Sequence, residues 1–254
     1  MKPEITDISY STALTFELVT RYDFFTLGAP TLPSLGKEVI YKPNANAKGT
    51  VVFLQYRLGD HIVGAGSSLK DQWGIPYYRF PIQPKKKIHR HELLMNLENM
   101  NNPVFYVAPE FHTIGGLYES LMNRTVLANS TFWSPLGIGV LTAKEKNIIS
   151  YKHNTQYGIL EPGNIKIEHL LKGEMLLNVL KQRFETNQTR VYDDNNLALL
   201  GDQMLENYLK LFHSTRERKL IDDIAVSRDR IEARDYLSLI STLLYDCYVY
   251  IVTT

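Results

Sequence analysis

Gln55 and Arg57 stand at the end of the clearest strand-like run of the chain, Val51-Val52-Phe53-Leu54-Gln55-Tyr56. In an extended segment residues two apart share a face, so these two polar side chains point the same way. Burying such groups costs several kcal/mol unless they are paired, on the order of 2–7 for an uncompensated amide. The run therefore ends in groups that need partners or a ligand. Acids stand nearby in the sequence: Glu17, Glu38 and Asp60. Lys85, Lys86 and Lys87 with Arg90 form the one compact basic run, suited to phosphate contacts that carry no sequence preference. His89 and His91 follow it. His91 lies one turn before Leu94 and Met95, so it reads as packed in the core or as reaching a site beside the central strand. Glu110 and His112 share a face if extended, and read as loop groups or metal ligands.

Other chemistries are excluded. Gly64-x-Gly66 lacks a third glycine and a strand-turn-helix setting, so no phosphate loop is present. There is no nucleophile elbow and no zinc cysteine set. The single cysteine, Cys247, forbids an internal disulfide and fits a reducing, cytoplasmic setting. The opening residues Met1-Lys2-Pro3-Glu4 do not read as a signal peptide. No apolar run reaches the length of a membrane span, about 18–20 residues. With Lys+Arg 28 against Asp+Glu 27, the net charge of +1 does not advertise nucleic-acid binding, though a local basic groove remains compatible with it.

The elements that must position these residues follow from periodicity. The 254 residues, 44% hydrophobic and 22% charged, supply a sizeable core. Ile8–Tyr22 has helical spacing with Asp7 as N-cap. Lys37–Tyr41 is a short strand. Val51–Tyr56 is apolar on both faces, as in the centre of an α/β sheet. Tyr77–Ile82 alternates, and Pro81 argues for an edge strand. Ile88–Met100 is a helix, Val104–Ala108 a buried strand, and Thr113 caps a helix from Ile114 to Asn123. Val126–Leu141 reads as irregular. Ile165–Glu185, Leu197–His213 (weakened by Gly201) and Thr215–Ala225 read as helices. Ser227 would cap a long last helix through Leu244 or beyond. The expected organisation is an α/β domain over 1–155, with a mixed sheet flanked by helices, and a helical domain or extension over 160–254.

Glu38, then Gln55 and Arg57 two apart on the next strand, resembles the PD-(D/E)XK nuclease-like superfamily in a degenerate Gln-x-Arg form, over roughly Ile8 to Pro109. Phe53–Asp60, Ile88–Leu94 and Val104–Pro109 also resemble segments of uncharacterised bacterial defence-associated proteins. The resemblance implies a restriction-endonuclease-like core in a bacterial nucleic-acid-targeting system. In an active form, Mg²⁺ would support phosphodiester cleavage. Glu38, Gln55 and Arg57 would be catalytic. Glu38 and Glu17, with Asp60 in reserve, would hold the metal, and Lys85–Lys87, Arg90 and His91 would contact nucleic acid. Arg57 departs from the family's lysine: a guanidinium stays protonated and is wider, though it binds phosphate well. The alternative is an inactive accessory or scaffolding subunit without a cofactor. It would dock a larger protein partner, or form a homo-oligomer, through the helical region and the apolar tail Tyr245–Val252.

Overall fold

The structure, a computed structural model, describes residues 1–22, 24–27, 49–64, 66–67, 69–83, 89–141, 146–153, 155–168, 170–212 and 215–253. The expected strand Lys37–Tyr41, with Glu38, and the basic run Lys85–Lys87 lie outside the described residues. In chain order the elements are α1 (Asp7–Arg21), β1 (Phe24–Leu27), β2 (Gly49–Tyr56), β3 (Asp60–Ile62), α2 (Lys70–Trp73), β4 (Tyr77–Gln83), α3 (His89–Asn99), β5 (Val104–Pro109), α4 (Ile114–Met122), β6 (Ser130–Trp133), α5 (Pro135–Ile138), β7 (Asn147–Tyr151), β8 (Gly158–Glu161), β9 (Ile165–Ile167), β10 (Leu171–Lys172), α6 (Gly173–Glu185), β11 (Val191–Tyr192), α7 (Asp194–Leu211), α8 (Thr215–Ser227), α9 (Ala233–Ile240) and β12 (Tyr248–Thr253); a π-turn, Ser241–Tyr245, joins the last two.

The protein is α/β, with a mixed sheet flanked by helices. The main sheet runs β1-β12-β2-β5-β6-β10, and β11 also pairs with β2. β2 and β5 are parallel, with Gln55 opposite Tyr106, while β12 runs antiparallel to both β1 and β2. A second, antiparallel sheet runs β3-β4-β7-β8-β9. Every residue of β2 and β5 is buried, as a strand covered on both faces requires. Val51, Phe53, Val104 and Tyr106 face one core, shared with α3, α7, α9 and the second sheet. Val52, Leu54, Tyr56, Phe105 and Val107 face the other, shared with α1 and α6. Alternation along β2 thus decides which side of the sheet each polar group must serve.

The first helix starts at Asp7, but its cap is Thr6, whose hydroxyl accepts from Ser9 N while Ser9 answers the Thr6 amide. Thr113 caps α4 as expected. Other expectations change. β4 is not an edge strand: it lies between β3 and β7, and Pro81 is tolerated because β3 pairs only as far as Arg79. The stretch 126–141 contains β6, which pairs with β5, and the short α5. The helix expected from Ile165 begins only at Gly173, after β9 and β10. Ser227 caps nothing; its hydroxyl donates back to Ile224 O. The last helix stops at Ile240, and Asp246 turns left-handed at φ 57, ψ 38. The β-branched and aromatic run Tyr248–Val252 then pairs into the sheet.

That last change removes an expected interface. Tyr245, Val249, Tyr250 and Ile251 are buried, so the tail is sheet interior rather than a docking surface. The boundary expected near 155–160 falls in the connection between the antiparallel partners β7 and β8. Among the described residues, no helix is long and apolar enough to cross a membrane.

Candidate functional site

The end of β2 lies beside the start of α3 and the turn that enters β12. Gln55, 1% exposed, donates through Nε2 to Tyr245 O at 3.1 Å and stands 3.4 Å from Asp246 Oδ2. Arg57 N donates to Val107 O at 2.8 Å, which continues the parallel pairing and holds its side chain at the strand end. The Arg57 guanidinium lies 3.5 Å from Asp246 Oδ2 and 5.9 Å from the Tyr106 ring centre. Its Nε is buried and has no hydrogen-bond partner. Arg90, in the first turn of α3, points at the same carboxylate oxygen from 3.7 Å. Asp246 itself is half-exposed.

Tyr106 and His91 support this cluster from below. The His91 ring nitrogens contact Tyr106 Oη and Gly139 O, each at 2.8 Å. A carbonyl only accepts, so Nε2 carries the proton, and Nδ1 accepts from the tyrosine hydroxyl. Burial keeps the Tyr106 phenol protonated and lowers the His91 pKa, although the Gly139 bond and Glu92 oppose that lowering. Both histidine nitrogens are therefore occupied, and the residue expected to touch nucleic acid instead positions the ring under Arg57. Cys247 is buried, and burial pushes its thiol far up, which removes it as a nucleophile. Asp7, at the start of α1, completes the surroundings. Desolvation raises its pKa, Arg57 opposes this, and Asp246 adds to it.

Of the expected metal ligands, Glu17 and Asp60 are not brought together, and Glu38 lies outside the described residues. Gln55 shares a face with Phe53, whereas Glu17 lies on α1, which packs on the opposite face with Val52 and Leu54. There Glu17 Oε2 accepts from Leu127 N at 3.2 Å, and Oε1 lies 3.5 Å from Arg21. Asp60 sits on β3 in the second sheet, opposite Arg79. Among the described residues no group of three His, Cys, Asp or Glu could hold a metal ion. Glu17 and Asp60 therefore do not share a Mg²⁺ position. Glu110 is taken up by His153, at 2.5 Å, and by Lys172, whose amine burial lowers to about 8. His112 stacks on His61 at 4.0 Å. A cleft of about 780 Å³ at the other end of α3, lined by Asn99, Asn101, Arg190 and Asn207 among others, contains none of the cluster.

Of the expected residues, the fold unites Gln55, Arg57, Arg90 and, indirectly, His91. Sequence reasoning missed Asp246, Asp7 and Tyr106. The available signal for Asp246 was an acid inside the apolar stretch Leu237–Val252, a stretch that reads as a buried terminal helix or strand. Chemically, two guanidiniums and an amide converge on a single carboxylate. Planar forks of this kind recognise carboxylate and phosphate oxygens. Comparison with known proteins found no matching family model, no matching curated protein and no matching solved structure, so the site's own geometry must carry its reading.

Proposed function

We propose that the protein is a nucleic-acid-binding component of a bacterial nucleic-acid-targeting system, built on a restriction-endonuclease-like core that grips the phosphate backbone without cleaving it. The observation that carries this is the convergence of Arg57 and Arg90 on one carboxylate at the end of β2. Two fixed positive charges around a single acid favour an anion over a cation. A metal ion on Asp246 Oδ2 would stand within reach of two positive guanidiniums and be repelled by both. The parallel pair β2 and β5, preceded by α1 and joined by a crossover through β3, α2, β4 and α3, is compatible with the nuclease-like core. The defence setting comes from the sequence resemblance. A larger protein partner remains part of the proposal; with the tail interior, it would use apolar residues exposed on α7 and α8, such as Leu199 and Val226.

A second reading, Mg²⁺-dependent cleavage, is favoured by one observation: Asp246 and Asp7 bring acids to Gln55 and Arg57 from β12's entry turn and from α1, in place of Glu38 and Glu17. One experiment separates the two. Labelled single- and double-stranded DNA and RNA are titrated by fluorescence anisotropy across a salt series, and the same samples with Mg²⁺ are run on gels. Binding without cleavage is expected. Arg57→Ala and Arg90→Ala should each flatten the plot of log affinity against log salt by about 0.7–0.9, the loss of one phosphate contact. Unchanged slopes in both variants would remove the proposal. Cleavage that disappears in Asp246→Ala would select the second reading.

A further inference from the structure

We propose that Asp246 is a resident surrogate anion: its carboxylate fills the phosphate position of the cage formed by Gln55, Arg57 and Arg90, and an incoming phosphate displaces it. This rests on the phosphate-binding reading and deepens it, by naming what holds the site in its free state.

Three donors from two elements aim at one oxygen. Gln55 Nε2, Arg57 and Arg90 stand 3.4, 3.5 and 3.7 Å from Asp246 Oδ2. Full-strength hydrogen bonds to oxygen lie near 2.7–3.2 Å. The carboxylate thus sits in a cage too wide for it, held by charge rather than by close bonds. Arg57 Nε, buried and unpaired, is donor capacity the acid does not use. A tetrahedral phosphate spreads its oxygens wider than a carboxylate and would meet several of these donors at bonding distance.

The acid is also placed so that it can leave. It is half-exposed, so its side chain can rotate into water without crossing the core. Its backbone is held separately: the left-handed turn between the π-turn and β12 sets the position, and Gln55 bonds the preceding carbonyl, Tyr245 O. Departure of the side chain therefore leaves Gln55 anchored and the cage standing. Asp and Asn both tolerate the left-handed region, and Gly does so freely. Without a resident anion, Arg57 and Arg90 would face each other with only the more distant Asp7 to offset them; Asp246 neutralises part of their charge in the free site, at the cost of affinity.

The test uses the full chain as wild type, Asp246→Asn, Asp246→Gly and Asp7→Asn. Circular dichroism melts confirm folding; the asparagine and glycine variants both suit φ 57, so one serves if the other unfolds. Inorganic phosphate binding is measured by calorimetry, and binding of a labelled oligonucleotide by anisotropy, at one fixed ionic strength. Losing a competitor held by charge-assisted contacts should tighten phosphate by about tenfold. Asp7→Asn, which removes a nearby charge but no occupant of the cage, should give under about threefold, as expected for a partly screened charge. Equal gains in Asp246→Asn and Asp7→Asn, or none in either Asp246 variant, would overturn the inference. The two arms separate it from the proposed function. Phosphate gain without oligonucleotide binding sustains the surrogate anion and removes the nucleic-acid reading. Oligonucleotide binding by wild type with no gain in the Asp246 variants does the reverse.

Discussion

Glu17 offers a direct contrast between a structural and a metal-binding carboxylate. It is 4% exposed on α1, its Oε2 accepts from Leu127 N, its Oε1 lies 3.5 Å from Arg21, and no hydrogen bond reaches that second oxygen. Replacement by Gln keeps an acceptor for the Leu127 amide and loses the ion pair with an Arg21 that is itself half-exposed. A helical pair of that kind is worth about 0.3–0.5 kcal/mol. Replacement by Ala strands the buried Leu127 N–H, at about 1–3 kcal/mol, and adds a small void of order 1 kcal/mol. Urea unfolding should therefore place Glu17→Ala roughly 2–4 kcal/mol below wild type and Glu17→Gln within about 1 kcal/mol of it. Neither should respond differently from wild type to millimolar Mg²⁺. Oligonucleotide affinity should be unaffected in Glu17→Gln, because the side chain lies across the sheet from Arg57. Equal destabilisation in the two variants would refute the capping of Leu127. A midpoint that rises with Mg²⁺ in wild type but not in Glu17→Gln would refute the structural role itself.

Two further outcomes follow from packing and charge. Gly201, inside α7, would as alanine place its Cβ 2.8 Å from the Tyr236 ring, against a gain of about 1 kcal/mol in helix propensity and an overpacking cost of about 1–3. Gly201→Ala should lower the urea midpoint in wild type but raise it in a Tyr236→Leu background; a rise in both would show that the ring does not need the space. His91 is held below its ordinary value of 6.5 by burial, so the unfolded chain binds a proton at higher pH than the native one. Its contribution to stability is complete above pH 6.5 and is lost as pH falls from there through the depressed native value. The stability difference between wild type and His91→Gln should thus shrink from pH 7.5 to pH 5. Parallel pH curves would mean that His91 does not titrate on unfolding.

Local patterns were enough to read α1, β2, α3, β5, α4 and the Thr113 cap, because each is encoded by residues that touch one another within a few positions. The same locality made Gln55 and Arg57 legible: two polar groups on one face, ending a run buried on both. It misled at Ile165–Ile167, and at Tyr248–Thr253 it left a buried helix or strand open. Leucine- and tyrosine-rich stretches satisfy helical and extended periodicity alike, and only pairing with a distant strand arbitrates between them.

Which acid meets Arg57 could not be read locally at all. Glu38 and Glu17 were the natural candidates by order along the chain. Glu38 lies outside the described residues, and the alternation of β2 puts Glu17 on the wrong side of the sheet. Among the described residues the partner arrives from the far end of the sequence, because β12 inserts between β1 and β2 and its entry turn carries Asp246 to the strand end. The amino-acid sequence by itself determined the buried central strand and the polar pair, an amide and a guanidinium, at its tip. Tertiary structure alone decided their counter-charge, since a contact between residues 57 and 246 depends on strand order, and no local periodicity encodes strand order.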